Sequence, residues 1–180
     1  DVGSVNVTVM ATDSGNLSAA DTFGLTVTNV NDAPTVANAL ADQATAEDAP
    51  FNFQVPANTF ADQDAGGTLT YSASLGNGAA LPSWLSFTAS TRTFTGTPDD
   101  AQVGTVSLKV TATDSGNLSA ADTFALTVTN VNDAPTVANA LADQSTTEDA
   151  AFSLVVPVNT FADVDAGDTL TLSAALDGGG

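Results

Sequence analysis

Val106-Ser107-Leu108-Lys109-Val110-Thr111-Ala112, then Asp114-Ser115-Gly116-Asn117, then Phe124-Ala125-Leu126-Thr127-Val128-Thr129: this stretch decides the fold. Apolar and polar residues alternate strictly on both sides of a Gly/Asn/Asp turn. A period of two in segments rich in Val and Thr predicts half-buried antiparallel strands joined as a hairpin. Working outward, Phe51, Phe53 and Val55 alternate in the same way, as do Leu69, Tyr71, Ala73 and Leu75. Turn signals separate the runs at Asp64-Ala65-Gly66-Gly67, Gly76-Asn77-Gly78 and Thr97-Pro98-Asp99. No segment holds a helical period of useful length.

Seven strands result, near 34–46, 50–56, 68–75, 84–89, 92–96, 103–113 and 120–131. Seven short strands in about 100 residues predict an all-β, seven-stranded Greek-key sandwich of the immunoglobulin type. The pattern also repeats. Ala11 through Gln43 recurs as Ala112 through Gln144, with Gly24 replaced by Ala125 as the one change in 33 positions. Tandem copies of one module explain so close a register. Residues 1–31 then read as the tail of one copy, 32–132 as a whole copy and 133–180 as the head of a third, so the chain reads as a slice of a longer protein. Trp84, Phe87 and Phe94 are expected in the core, with carbohydrate stacking as the other use of Trp84.

Composition narrows the chemistry. There are 21 acidic residues against Arg92 and Lys109, a formal charge of −19. That excludes nucleic acid, which demands clustered cations, and disfavours anionic lipid. With no Cys and no His, thiolate and imidazole metal sites, Cys nucleophiles and His-dependent triads are excluded. All the acids except Glu47 and Glu148 are Asp, short carboxylates suited to hard cations. Solubility alone is the competing explanation of the charge.

Strand parity places the acids. If the first strand of the whole copy runs upward, Glu47 and Asp48 end it at the upper pole, where Asp99 and Asp100 also lie. Asp62, Asp64 and Asp114 fall at the lower pole, and the last strand leads upward to Asn130, Asn132 and Asp133. Acids therefore gather where one module meets the next, and crowded carboxylates repel unless a cation lies between them. Oxygen-only donors select Ca²⁺ over zinc or copper. An EF-hand does not fit. Asp62, Asp64 and Gly67 match its positions 1, 3 and 6, but Ala73 occupies position 12 and the flanks are strands.

These motifs resemble the cadherin-like superfamily, in particular the dystroglycan-type cadherin-like repeats of bacterial surface proteins. Ala112-Thr113-Asp114-Ser115-Gly116 with Leu118-Ser119 is similar to the cadherin AxDxG…LS segment. Asn130-Val131-Asn132-Asp133-Ala134-Pro135 is similar to the linker DxNDNAP. Asp62-Gln63-Asp64 and Asp163-Val164-Asp165 resemble the DxD pair, and Glu47 stands where cadherins place an early ligand. Leu81-Pro82-Ser83-Trp84-Leu85 and Gly96-Thr97-Pro98 resemble the dystroglycan-type branch. The resemblance implies Ca²⁺ held between consecutive repeats. At the junction around 130–133 the implied ligands are Glu47, Asp99, Asn130, Asn132, Asp133, Asp163 and Asp165. At the junction around 29–32 they are Asn29, Asn31, Asp32, Asp62, Asp64 and Asp114. Both sets are expected to be completed by residues beyond the slice. The linker's first Asp is Asn here, its final Asn is deleted before Ala33 and Ala134, and the DRE-like position reads Asp99-Asp100-Ala101. One or two ions per junction are expected, with dissociation constants of about 10⁻⁴–10⁻³ M.

Three functions compete at this point. The first is a calcium-stiffened spacer in a large secreted or surface-anchored adhesin, partnered by the neighbouring repeats, whose junctions loosen without metal. The second is a recognition module for glycan or a cell-surface protein, with 76–83 as its candidate loop. The third is an enzyme using paired carboxylates, which the separation of acids to opposite poles argues against. Direct membrane insertion is not expected. The incomplete first and third copies expose strand edges, so self-association of this chain is. The triplets Asn6-Val7-Thr8, Asn16-Leu17-Ser18 and Asn117-Leu118-Ser119 match glycosylation sequons, but such triplets arise by chance in Thr-rich strands.

Overall fold

The computed structural model describes residues 2–64 and 66–176. Asp1, Ala65 and 177–180, which include the outer limits of the expected first and third copies, lie outside the described residues. The chain is all-β among the described residues, apart from one 3₁₀ turn at Asp100–Gln102. The amino-terminal segment forms an antiparallel hairpin of β1 (Gly3–Thr12) and β2 (Ser18–Val27). The central copy contains β3 (Thr35–Val36), β4 (Gln43–Ala46), β5 (Phe51–Gln54), β6 (Phe60–Ala61), β7 (Thr70–Leu75), β8 (Leu85–Thr88), β9 (Thr93–Gly96), β10 (Gly104–Thr113) and β11 (Ser119–Thr129). One sheet runs β4-β11-β10-β7 and the facing one β5-β9-β8, with β3-β6 as a short separate pair.

Alternation in the sequence becomes two faces in space. On β10 and β11 the inward residues Leu108, Val110, Ala112, Phe124, Leu126 and Val128 are buried, and the Thr, Ser and Lys between them are not. Facing them, Phe94 of β9 is fully buried, its ring 4.7 Å from Phe87, 5.7 Å from Phe124 and 6.5 Å from Phe53 between centroids. Trp84 packs on this core, and its backbone carbonyl sits so close over Gly96 that a Cβ would collide with it and crowd the indole at 3.1 Å. Packing thus accounts for Trp84 and for the glycine opposite it.

The expected first strand, 34–46, is two strands. β3 pairs antiparallel with β6, whereas β4 crosses to the other sheet and runs parallel to β11. Two carboxylates hold the crossover. Asp122 accepts from the Leu40 N–H at 2.6 Å, and Asp42 accepts from the Ala125 N–H at 2.7 Å. Leu40, buried between these contacts, anchors the passage from sheet to sheet. Asp42→Ala removes one charge-assisted bond at an exposed position and is expected to cost about 1 kcal/mol. Urea unfolding checks this.

The third copy forms fewer ladders than the sequence predicts. β12 (Thr136–Val137) pairs with β13 (Phe161–Ala162), but the remainder of 134–176 runs without strand pairing. In the central copy β4 is held by β11, and β7 by β10. No equivalent of that hairpin lies against 134–176 among the described residues, so the corresponding segments have nothing to pair with.

Candidate metal centre

Two linkers, 29–32 and 130–133, carry the same hydrogen-bond pattern. In the second, the Asn130 amide donates to Asp165 Oδ1 at 2.8 Å and the Asp133 N–H donates to Asp165 Oδ2 at 2.7 Å. The Asp165 N–H donates in turn to Asp163 Oδ1 at 3.0 Å, so the first Asp of the DxD pair orients the second. In the first linker, Asn29 and the Asp32 N–H hold Asp64 at 2.8 Å each, and the Asp64 N–H reaches Asp62 at 2.9 Å. Asn31 additionally donates to Asp114 Oδ2 at 3.0 Å. The loop after β10 approaches so closely that a Cβ on Gly116 would stand 2.6 Å from the Asn31 amide. Its counterpart Asn132 donates to the Asp133 carbonyl at 3.0 Å.

The upper pole of the central copy meets the second linker. Glu47, only 1% exposed, accepts the Val131 N–H on Oε1 at 2.6 Å. Its Oε2 is buried with no hydrogen-bond partner among the described residues, as are Asp100 Oδ1 and Asp62 Oδ2. Carboxylate oxygens of Glu47, Asp100, Asp133 and Asp165 all lie within 4.8 Å of one another; Asp163, Asp165 and Asp168 form a second such group sharing Asp165. A buried, unpartnered carboxylate oxygen is costly by itself, and four carboxylates in so small a space compound the cost. An all-oxygen donor set of this charge fits a hard divalent cation.

Of the thirteen expected ligands, Glu47, Asp133 and Asp165 enter the first group, and Asp163 joins Asp165 in the second. At the other junction hydrogen bonds link Asn29, the Asp32 N–H, Asp62 and Asp64, and separately Asn31 and Asp114, but the carboxylates there form no group like those of the second junction among the described residues. Asn130 and Asn132 present their amides to Asp165 and to a backbone carbonyl rather than to the carboxylate group. Asp99 does something else: it caps the 3₁₀ turn, accepting from the Ala101 N–H at 3.0 Å. That turn brings the following residue, Asp100, into the cluster. Asp168, beside Asp163 and Asp165, is likewise not among the expected ligands. The two copies differ at this position, Gly67 against Asp168, which is the signal that was available.

Ionisation follows this geometry. A hydrogen bond with the Asp100 carboxyl, then burial, then repulsion from Asp100, Asp165 and Asp48 raise the Asp133 carboxyl above its usual range. Asp165 is lowered, first by the Asp133 N–H and then by the Asn130 amide, against the opposing effect of burial. For Asp114 burial is the largest influence and raises it, but the Asn31 amide and the N–H groups of Leu118, Gly116 and Asn117 together outweigh it. A raised Asp133 means that the folded state gains protons, and stability, as pH falls toward 3.8. The lowered pair contributes stability above 3.8 and loses it as pH falls further. Melting in chelator is therefore expected to rise on mild acidification and fall below 3.8, and Asp133→Asn is expected to remove the rise.

The architecture and the linker-to-pole contacts define an immunoglobulin/cadherin-like β-sandwich module. The chain belongs to the Putative Ig domain family, whose model matches residues 33–129 and 134–180. No curated protein matches it. Among solved structures, the protocadherin gammaB7 EC3-6 cis-dimer is 28% identical with a TM-score of 0.56, the match covering 78% of this chain and 36% of that one. The protocadherin GammaB4 extracellular domain is 28% identical with a TM-score of 0.53, covering 74% and 23%. Protocadherin Gamma B2 extracellular cadherin domains 1-5 are 21% identical with a TM-score of 0.55, covering 74% and 26%. The chain thus spans well under half the length of each. No described helix is long and apolar enough to cross a membrane.

Proposed function

We propose that this chain is a calcium-binding spacer: tandem cadherin-like repeats of the dystroglycan-type branch, from the stalk of a large extracellular bacterial adhesin. Residues 1–31 close one repeat, 32–132 form a whole one and 133–180 open a third. The observation that carries the reading is the buried, unpartnered Glu47 Oε2 within a four-carboxylate group. That group joins Glu47 and Asp100 of one repeat to Asp133 and Asp165 at the start of the next. Ca²⁺ there would be held by those four, with Asp163 and Asp168 as a second group, and would supply the positive charge that lets the two repeats approach. Asn29, Asn31, Asp32, Asp62, Asp64 and Asp114 are the corresponding residues of the first junction. In this reading the acids are structural ligands and not catalysts.

A spacer needs reach and stiffness, and near-identical repeats supply both without individual specificity. The partners are then the adjoining repeats and, for this isolated chain, further copies of itself. Calcium titration by calorimetry is expected to give saturable binding with a dissociation constant of about 10⁻⁴–10⁻³ M. Small-angle scattering of a protein with three whole repeats is expected to show a longer, narrower particle in calcium than in chelator. No uptake at millimolar calcium, or a radius of gyration indifferent to chelator, rules the reading out.

A further inference from the structure

We infer that Asn29 and Asn130 are positioning residues that fasten each linker to the repeat after it without metal, so that the metal-sensitive hinge lies on the other side of the linker. Asp165, 7% exposed, has both oxygens engaged by the linker: Oδ1 by the Asn130 amide at 2.8 Å and Oδ2 by the Asp133 N–H at 2.7 Å. The first junction repeats the arrangement independently, with Asn29 and the Asp32 N–H on the two oxygens of Asp64, both at 2.8 Å. An amide side chain can donate here and a carboxylate cannot; an Asp at the same position would set two anions against each other.

The side of the linker facing the preceding repeat is built differently. Among the described residues one backbone N–H, that of Val131, donates across it, to the Glu47 carboxylate at 2.6 Å. Around it Glu47, Asp100 and Asp133 confront one another, with Asp165 in the same group; Glu47 and Asp100 carry buried oxygens without donors, whereas both oxygens of Asp165 have one. Removal of cations therefore loads the Glu47, Asp100 and Asp133 carboxylates with repulsion, while the Asn130 amide and Asp133 N–H go on holding Asp165. The linker travels with the repeat that follows it, and bending occurs between Glu47 and Val131. The fastening stands on the hydrogen bonds alone; the metal sensitivity of the opposite face rests on the calcium reading above.

Amide hydrogen exchange of the whole chain, resolved by residue, tests the two parts separately. In chelator the Asp133 and Asp32 N–H groups are expected to exchange slowly and the Val131 N–H rapidly. Asn130→Ala is expected to accelerate Asp133 exchange about ten- to a hundredfold, and Asn130→Asp at least as much, with Asp32 unchanged. Asn29→Ala is expected to do the same at Asp32 and not at Asp133. Fast exchange at Asp133 in the wild-type protein, or unaltered Asp133 exchange in both Asn130 variants, overturns the fastening. Calcium is expected to slow Val131 in the wild-type chain. If it does not while the Asn130 effects persist, the calcium reading and the metal-dependent hinge fail and the fastening survives.

Discussion

If calcium is held as proposed, Asp165→Ala is expected to weaken its binding at the second junction on the order of a hundredfold. The position concentrates three roles. Its carboxylate belongs to both acidic groups, accepts the Asn130 amide and accepts the Asp133 N–H. Removing it would subtract a negative charge from each group and release the linker that carries Asp133. Asp165→Asn retains one acceptor oxygen without the charge and is expected to fall between the two. Calorimetry on the variants distinguishes this from general damage: the buried core around Phe94, Leu108 and Leu126 does not include Asp165, so a cooperative thermal transition should persist, lowered only by the loss of the Asp165 hydrogen bonds. Wild-type calcium affinity in Asp165→Ala would remove the junction from consideration as a metal site.

Concentration-dependent association of this chain is the second large effect. β2 repeats β11 with Gly24 for Ala125 as the one change, β1 matches β10 at half of its positions, and the two hairpins pair in the same register. Yet Phe23, Leu25 and Val27 are 52%, 48% and 46% exposed, where Phe124, Leu126 and Val128 are buried. Along 134–176, Leu154, Phe161 and Leu172 are likewise open. The central copy shows the complementary fit, because the hairpin there pairs with β7 and β4 and covers the core. The hairpin of one molecule can take the same place on the third-copy segment of another. Each large side chain so covered contributes about 1.5–3 kcal/mol, and a head-to-tail contact of this kind propagates rather than closing. Sedimentation at about 0.1–1 mM is expected to show species above the monomer, and Phe23→Asp with Leu25→Asp is expected to suppress them. A strictly monomeric wild-type profile would contradict the scheme.

The legibility of this chain differs sharply between strands and side chains. The β10–β11 hairpin is readable because alternation is a local property: each side chain's face follows from its parity, whatever lies opposite. The split of 34–46 was not readable. It depends on Asp42 and Asp122 each capturing a backbone N–H across 82 or 83 residues of chain. The same limit separates Asp99 from Asp100. The sequence places both in one turn, but only the 3₁₀ geometry assigns Asp99 to the Ala101 N–H and leaves Asp100 Oδ1 buried among carboxylates. Asp168 was hidden differently, since it differs from Gly67 in the near-repeat and gains meaning only beside Asp163 and Asp165.

By itself, then, the amino-acid order determined the all-β class, the 101-residue register, the gathering of acids at module ends and the oxygen-only chemistry. Those follow from periodicity, self-similarity and composition, which are carried by the chain before it folds. Tertiary structure alone decided which oxygens are satisfied and which are stranded: Asp165 held by two linker donors, Glu47 Oε2 and Asp100 Oδ1 buried with none. The physical reason is range. A donor within hydrogen-bond distance changes the energy of a carboxylate far more than its position in the sequence can, and those donors arrive from elements that meet only when the strands pack.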